Sequence, residues 1–226
     1  MKMDFFKEVL VLSGAGVGGG SLVYANTHMI PKEAFWTNPI WNHFKNWKEV
    51  MAPYYERARF MLGSSKYQRE FVEDKYLKEV ADEMGRGDTY STVDYVGVYF
   101  GDTAKEKDPY FKGLGPMRKG CTECAGCMVG CRENAKNTLD KNYLYFAQDY
   151  GAKIEAETLV TKIEHIDGEY VVHTQSQTGI FNKNKRIFRS KGLVVSGGVL
   201  GTLKLLLEQK FIHKTLPNLS DKLGEN

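Results

Sequence analysis

Four cysteines fall between Cys121 and Cys131, as Cys121-x-x-Cys124-x-x-Cys127-x-x-x-Cys131, and the chain holds no others. Cysteines spread along a sequence suggest a disulfide framework, whereas a tight group suggests a metal, an iron–sulfur cluster or a local redox unit. Thiolates at these intervals are the ligand run of [4Fe–4S] clusters. Ala125, Gly126 and Gly130 would let a short loop wrap around a cubane. Zinc fits less well, because three thiolates so close together leave the fourth ligand distant. Two features point elsewhere: Arg132 stands where such runs carry proline, and no second set of cysteines exists to share a second cluster. Structural cysteines, reduced or disulfide-paired, are the other reading.

A second chemical feature lies near the start. Gly14-Ala-Gly16-Val-Gly-Gly19 follows an apolar stretch and matches G-x-G-x-x-G. Such glycines let the main chain approach a pyrophosphate while a helix N-terminus faces its charge. The confirming acidic residue, expected at the end of a second strand about 20 residues on, is not evident. The sequence runs instead through His28, Pro31 and Trp36. The match is therefore not read as the nucleotide turn of a βαβ unit, and a glycine turn without a ligand stays open beside a nucleotide contact. The five histidines, His28, His43, His165, His173 and His213, form no cluster and are read as ordinary loop or strand residues; no catalytic residue is assigned.

These groups need elements to position them. Lys7 to Ser13 reads as a buried strand feeding the glycine turn. A helix is expected from Pro53 to Met61, with proline at its first turn, and another from Glu70 to Met84, ended by Gly85. Thr92 to Phe100 reads as a strand, and 102–120 as a loop. Thr138 should cap a helix to Asp149. Strands follow over Lys153–Glu157, Leu159–Ile166, Glu169–Gln175 and Ile180–Arg189, with Asp167-Gly168 as a hairpin turn. Gly192–Ser196 reads as a short strand buried on both faces, and Val199–Lys210 as a helix. The net charge of +3 is spread along 226 residues, which does not suggest nucleic-acid binding. No apolar run is long enough to span a bilayer, and no signal peptide is recognisable, so a cytoplasmic location is the default expectation.

The longer string Gly16-Val-Gly-Gly-Gly-Ser-Leu-Val-Tyr-Ala-Asn26 resembles the second flavin-contacting segment of the glucose–methanol–choline (GMC) oxidoreductases, cholesterol-oxidase-like branch. The resemblance continues through Asn134-Ala-Lys-Asn-Thr138 with Asn142-Tyr-Leu144, and through Thr158-Leu-Val160 with Thr161-Lys-Ile163. It extends through Leu193-Val-Val-Ser-Gly-Gly-Val-Leu-Gly-Thr-Leu-Lys-Leu-Leu206 and Leu216-Pro-Asn-Leu-Ser-Asp-Lys-Leu-Gly-Glu-Asn226. It implies an FAD cofactor, with Gly19, Gly20 and Ser21 along the pyrophosphate and ribityl chain and Tyr24, Ala25 and Asn26 near the flavin ring. Val160 would meet the adenine, and Ser196 and Gly197 would lie closest to FAD at a second turn.

The fold implied is α+β / α/β, an incomplete FAD/NAD(P)-binding Rossmann-like domain with an α+β substrate-domain segment. Residues 1–31 would be FAD-binding, 32–149 substrate-domain and cysteine-rich, and 150–226 a return to the FAD domain. The activity implied is oxidation of an alcohol CH–OH group by hydride transfer to flavin; an iron–sulfur electron-transfer module on the cysteine run is the alternative. In the family the nucleotide-binding turn lies upstream of the opening segment and the catalytic histidine beyond Asn226, so the chain is expected to be an internal fragment. Neither the substrate alcohol nor the electron acceptor is specified by these residues.

Overall fold

A computed structural model describes residues 2–67, 69–179 and 183–225. The chain divides into two compact units, Met1–Ile154 and Glu155–Asn226. It is mixed α/β with small sheets, and every strand pairing among the described residues is antiparallel.

The first unit opens with a hairpin of β1 (Lys2–Phe5) and β2 (Leu10–Ser13), registered from Lys2 opposite Ser13 to Phe5 opposite Leu10. The apolar stretch before the glycines is therefore a strand, but not a buried one. Phe5, Leu10 and Leu12 are all at least half exposed. A two-stranded ribbon buries a face only when another layer covers it, and no third strand joins this one among the described residues. The glycine run then forms a 3₁₀ turn, Gly19–Leu22, in place of the α-helix that a βαβ unit would require.

A one-turn helix, α1 (Glu33–Trp36), precedes α2 (Trp47–Met61). Helix α2 begins six residues ahead of the expected start because Asn46 caps it, accepting from the Glu49 N–H at 3.5 Å. Pro53 consequently lies inside the helix, where its ring removes one main-chain donor. Strand β3 (Ser65–Lys66) is followed by α3 (Val72–Glu83), whose entry is fixed by Asp74 accepting from the Phe71 N–H at 2.9 Å. Gly85 ends it with φ +67, as its sequence position predicts. Strand β4 (Tyr95–Val96) pairs with β3. The longer strand expected from Thr92 to Phe100 is reduced to this pair plus single bridges, Thr27 to Val96 and Val98 to Lys136. After a 3₁₀ turn at Leu139–Lys141, α4 (Tyr143–Asp149) is capped by Asn142 and not by Thr138. The Asn142 Oδ1 accepts from the Tyr143 N–H at 2.6 Å.

In the second unit, β5 (Thr158–Ile166), β6 (Glu169–Ser176) and β7 (Arg186–Ser190) form an antiparallel sheet in sequence order. Asp167 and Gly168 turn the first hairpin with φ +52 and +79, the left-handed pair that a two-residue connection needs. Ile163, Val171 and Val172 are its buried apolar residues, Val172 opposite Ile163 and Val171 on the other face. Lys153–Glu157 is not a strand, and the start of the expected Ile180–Arg189 strand, 180–182, lies outside the described residues. Gly192–Ser196 is loop with Val194 88% exposed; the doubly buried strand expected there is not formed. Helix α5 (Gly198–Leu207) runs into a π-helical turn, Glu208–Ile212. Gln209 there is fully buried: its Oε1 accepts from the Ile163 N–H at 2.9 Å, and its Nε2 donates to the Leu205 carbonyl at 3.0 Å. A side chain thus bonds one N–H on the outer edge of β5, which no strand covers among the described residues. No helix among the described residues is long and apolar enough to cross a membrane.

Candidate functional site

In the first unit the glycine turn, the cysteine loop and the segment 134–142 meet around a buried polar core. Arg118, Lys136, Asn137, Thr138 and Asn142 are all under a tenth exposed. Buried polar groups are stable only when paired, and these are. Arg118 donates to the Ala135 carbonyl at 2.7 Å and the Asn137 Oδ1 at 2.8 Å. The Asn137 amide reaches the Gly63 carbonyl at 2.7 Å, and its main-chain N–H the Gly97 carbonyl at 2.7 Å. Burial draws the Arg118 and Lys136 pKa values down, and the carbonyls around them supply the acceptors.

Lys136 is the hub. Its ammonium donates to the Leu22 carbonyl at 3.1 Å and the Cys127 carbonyl at 2.7 Å, and stands 4.5 Å over the ring of Tyr24. One side chain thereby joins the end of the glycine turn to the cysteine loop. The Ser21 hydroxyl adds a second tie, donating to the Gly18 carbonyl at 2.6 Å and accepting from the Leu139 N–H at 3.0 Å.

Above these ties the turn is bare. A side chain at Gly14 would run into the Gly19 carbonyl, whereas Cβ atoms at Gly19 and Gly20 would meet nothing within 4 Å. Gly19 also has φ +53, a conformation that disfavours any branched side chain. The main chain at Gly19 and Gly20 thus faces open space from an anchored base, as a cradle for an extended anionic ligand requires.

The Tyr24 hydroxyl donates to the Asn137 carbonyl at 2.7 Å, so His28 Nε2, 3.2 Å away, must donate to it. His28 Nδ1 then accepts from the Ser64 hydroxyl at 2.8 Å. Burial lowers the His28 pKa, consistent with this neutral ring. Burial first, and then the nearby Cys127 thiol, push the Tyr24 phenol well above its usual range. Both side chains therefore build the site; their polar ends are engaged. Asn26, at φ +58, turns its amide to the Cys127 Sγ at 3.1 Å.

The four cysteines are free thiols lining a single cavity of about 220 Å³, with Val96, Val98 and Phe100 on its apolar side. Main-chain N–H groups point at two of the sulfurs: Glu123 at Cys121, 3.3 Å, and Ala135 and Lys136 at Cys131, 3.3 and 3.4 Å. Burial pushes the Cys121 thiol up, against the pull of the Glu123 N–H. Among the described residues no three His, Cys, Asp or Glu groups are placed to hold one metal ion.

The second unit carries the other expected residues. Val160 lies on β5 opposite Thr174, at a break in register between Val160 and Lys162. Ser196 and Gly197 form the turn into α5, where the Gly197 N–H donates to the Thr202 Oγ1 at 3.0 Å. Gly198 and Gly201 would meet nothing within 4 Å if given a Cβ. His173 Nε2 is hydrogen bonded to the Glu164 carboxylate at 2.6 Å on this sheet.

The segment 134–142 carries no hydrophobic period, so sequence reasoning gave it no site role. Its available signal was the family resemblance of Asn134–Thr138 and Asn142–Leu144, which marked the segment without giving its residues a role.

Residues 114–224 match the family model described as GMC oxidoreductase. The chain is 40% identical to a cholesterol oxidase of Acinetobacter baumannii over 233 residues, covering 98% of this chain and 42% of that protein. It is 42% identical over 225 residues to a cholesterol oxidase of Mycobacterium tuberculosis, strain H37Rv, covering 96% and 39% respectively. The chain thus spans about two fifths of the length of these curated relatives.

Proposed function

Because the chain belongs to the GMC oxidoreductase family, we propose that it forms part of an FAD-dependent oxidoreductase acting on the CH–OH group of an alcohol. The relatives are named for a sterol alcohol, and a bulky alcohol of that class is the substrate proposed for the whole protein. The observation that carries the reading is the anchored, open main chain at Gly19 and Gly20. Residues 1–31 and 150–226 are assigned to a Rossmann-like FAD domain and 32–149 to the substrate side.

FAD, when bound, supplies the flavin N5 that takes the hydride. The work of this chain is binding and orientation. Gly19 and Gly20 admit the pyrophosphate without a Cβ in the way, and Ser21 and Lys136 hold the turn. Tyr24, Ala25 and Asn26 lie on the flavin-ring side, held by the bonds of Tyr24 to Asn137 and Asn26 to Cys127. Val160, Ser196 and Gly197 are assigned to the adenine and the remaining nucleotide contacts. None of the five histidines is assigned as the base that removes the alcohol proton.

The test compares two valine substitutions of equal intrinsic strain. Gly19 and Gly85 both have left-handed φ with open space around them, so Gly19→Val and Gly85→Val carry similar backbone costs. Flavin content of the purified protein should fall sharply in Gly19→Val and stay near wild type in Gly85→Val. Equal flavin content in both variants would remove the glycine turn from the cofactor site.

A further inference from the structure

We propose that the cavity lined by Cys121, Cys124, Cys127 and Cys131 is a [4Fe–4S] cluster site. The spacing alone left structural cysteines open; four structural observations favour a cluster. All four cysteines line one void, and its size of about 220 Å³ far exceeds the roughly 10–15 Å³ that one water needs. Disulfide pairing would not require a void between the pairs.

The sulfurs are dressed as cluster thiolates are. Four N–H donors point at three of them: Glu123 at Cys121, Ala135 and Lys136 at Cys131, and the Asn26 amide at Cys127. Hydrogen bonds to sulfur stabilise thiolate and tune the reduction potential of a cluster. A neutral thiol gains much less from such donors.

The loop is bent through left-handed backbone positions. Glu123 and Ala125 both hold left-handed φ, +57 and +55, and Gly130 holds +115. Residues other than glycine in that region carry strain that the surroundings must offset, and here the result is a loop curled around the void. Lys136 and Arg118, both buried, bring positive charge to the side of Cys127 and Cys131. That charge suits a cluster, whose four thiolates and core carry net negative charge.

The arrangement also selects between metals. A structural zinc draws its ligands to one point, and among the described residues no three His, Cys, Asp or Glu groups are placed to hold one metal ion. In a cubane each thiolate binds its own iron, so thiols spread around a cavity match a cluster. The inference concerns the cysteine loop alone and does not depend on flavin binding.

The protein, purified without oxygen and incubated with ferric iron, sulfide and dithiothreitol, the dithiol reducing two of every four irons, should take up about four iron and four acid-labile sulfide per chain, with broad absorbance near 400 nm. Chemical assay of iron and sulfide separates this from any flavin. Cys127→Ala should lose most of the iron. Asn26→Asp keeps a residue tolerant of left-handed φ and replaces the donor facing Cys127 with a carboxylate. It should retain the cluster at a lower reduction potential. Iron and sulfide well below one per chain in folded protein, one zinc in place of iron, or uptake unchanged in Cys127→Ala would each overturn the assignment. A cluster whose potential is unmoved in Asn26→Asp would do the same for Cys127 as a ligand.

Discussion

Lys136→Met is the most direct test of the polar hub. Methionine matches the length and flexibility of the lysine stem but donates nothing. Two carbonyls, of Leu22 and Cys127, lose a charged donor at 3.1 and 2.7 Å. Hydrogen bonds to charged groups contribute about 1.5–3 kcal/mol each, and the contact with the Tyr24 ring adds roughly 0.5–2 kcal/mol. Removing the charge also relieves its own burial, which offsets a large part of that sum. What remains is mainly the cost of two orphaned carbonyls, about 1–3 kcal/mol each. The expected net loss is about 3 kcal/mol. For a chain of this size 1 kcal/mol moves the midpoint about 2–4 °C, so Tm should fall about 6–12 °C. Lys105→Met, in the exposed part of the 102–120 loop, is the control and should leave Tm within about 2 °C. Differential scanning calorimetry supplies the measurement. A Lys136→Met protein as stable as the control would show that the ammonium does not join the two loops, and the anchoring argument for the glycine turn would fail with it.

Two further outcomes follow from other buried or bonded polar groups. Burial alone would raise the Asp108 pKa, but N–H groups of Tyr110, Phe111, Gly115 and Gly113 hold its carboxyl below the usual range. Its stabilising contribution is therefore full above the ordinary carboxylate value and lost as pH falls through the lowered one. Asp108→Asn should abolish that acid limb in pH-dependent unfolding, and an unchanged limb would assign it to other carboxylates. In the second unit, Gln209→Leu leaves the Ile163 N–H buried without its acceptor, and a loss of about 2–4 kcal/mol is expected by urea unfolding; a neutral result would mean that another acceptor reaches Ile163.

What the sequence revealed depended on whether a local signal decided the structure. Asp167-Gly168 and Gly85 were legible because a left-handed φ is a property of one or two residues. Helix α3 was legible because its apolar period is its own. The start of α2 was missed because Pro53 is a common first-turn residue, and the asparagine cap at Asn46 outweighed it. Lys7–Ser13 and Gly192–Ser196 were read as buried from their apolar content alone. Burial is a property of what lies against a segment, and Leu10 and Val194 remain exposed. The glycines and cysteines proposed for the sites stand out in the sequence by type and spacing, the glycines' proposed role coming from the family resemblance. Lys136 and Arg118 do not, since a buried cation cannot be told from a surface one until its carbonyl partners, far away in sequence, are in place.

The position of Lys136 gives the two proposed sites a shared mechanical base. Its side chain holds Leu22 and Cys127, its main-chain N–H points at Cys131, and its neighbour Asn137 accepts from Arg118 and carries the Tyr24 hydroxyl on its carbonyl. Asn26 closes the loop by bonding Cys127. A change that reshapes the cysteine loop must therefore pull on the end of the glycine turn through a short chain of hydrogen bonds. Cys131 takes its hydrogen bonds from the Lys136 segment itself, and Cys124 is exposed and free of such bonds among the described residues. Perturbation at Cys131 should thus lower flavin content together with iron, whereas perturbation at Cys124 should lower iron with little effect on flavin. Measuring both in Cys131→Ser and Cys124→Ser tests this asymmetry, and equal flavin loss in the two variants would mean that the coupling runs through the cluster and not through the Lys136 segment.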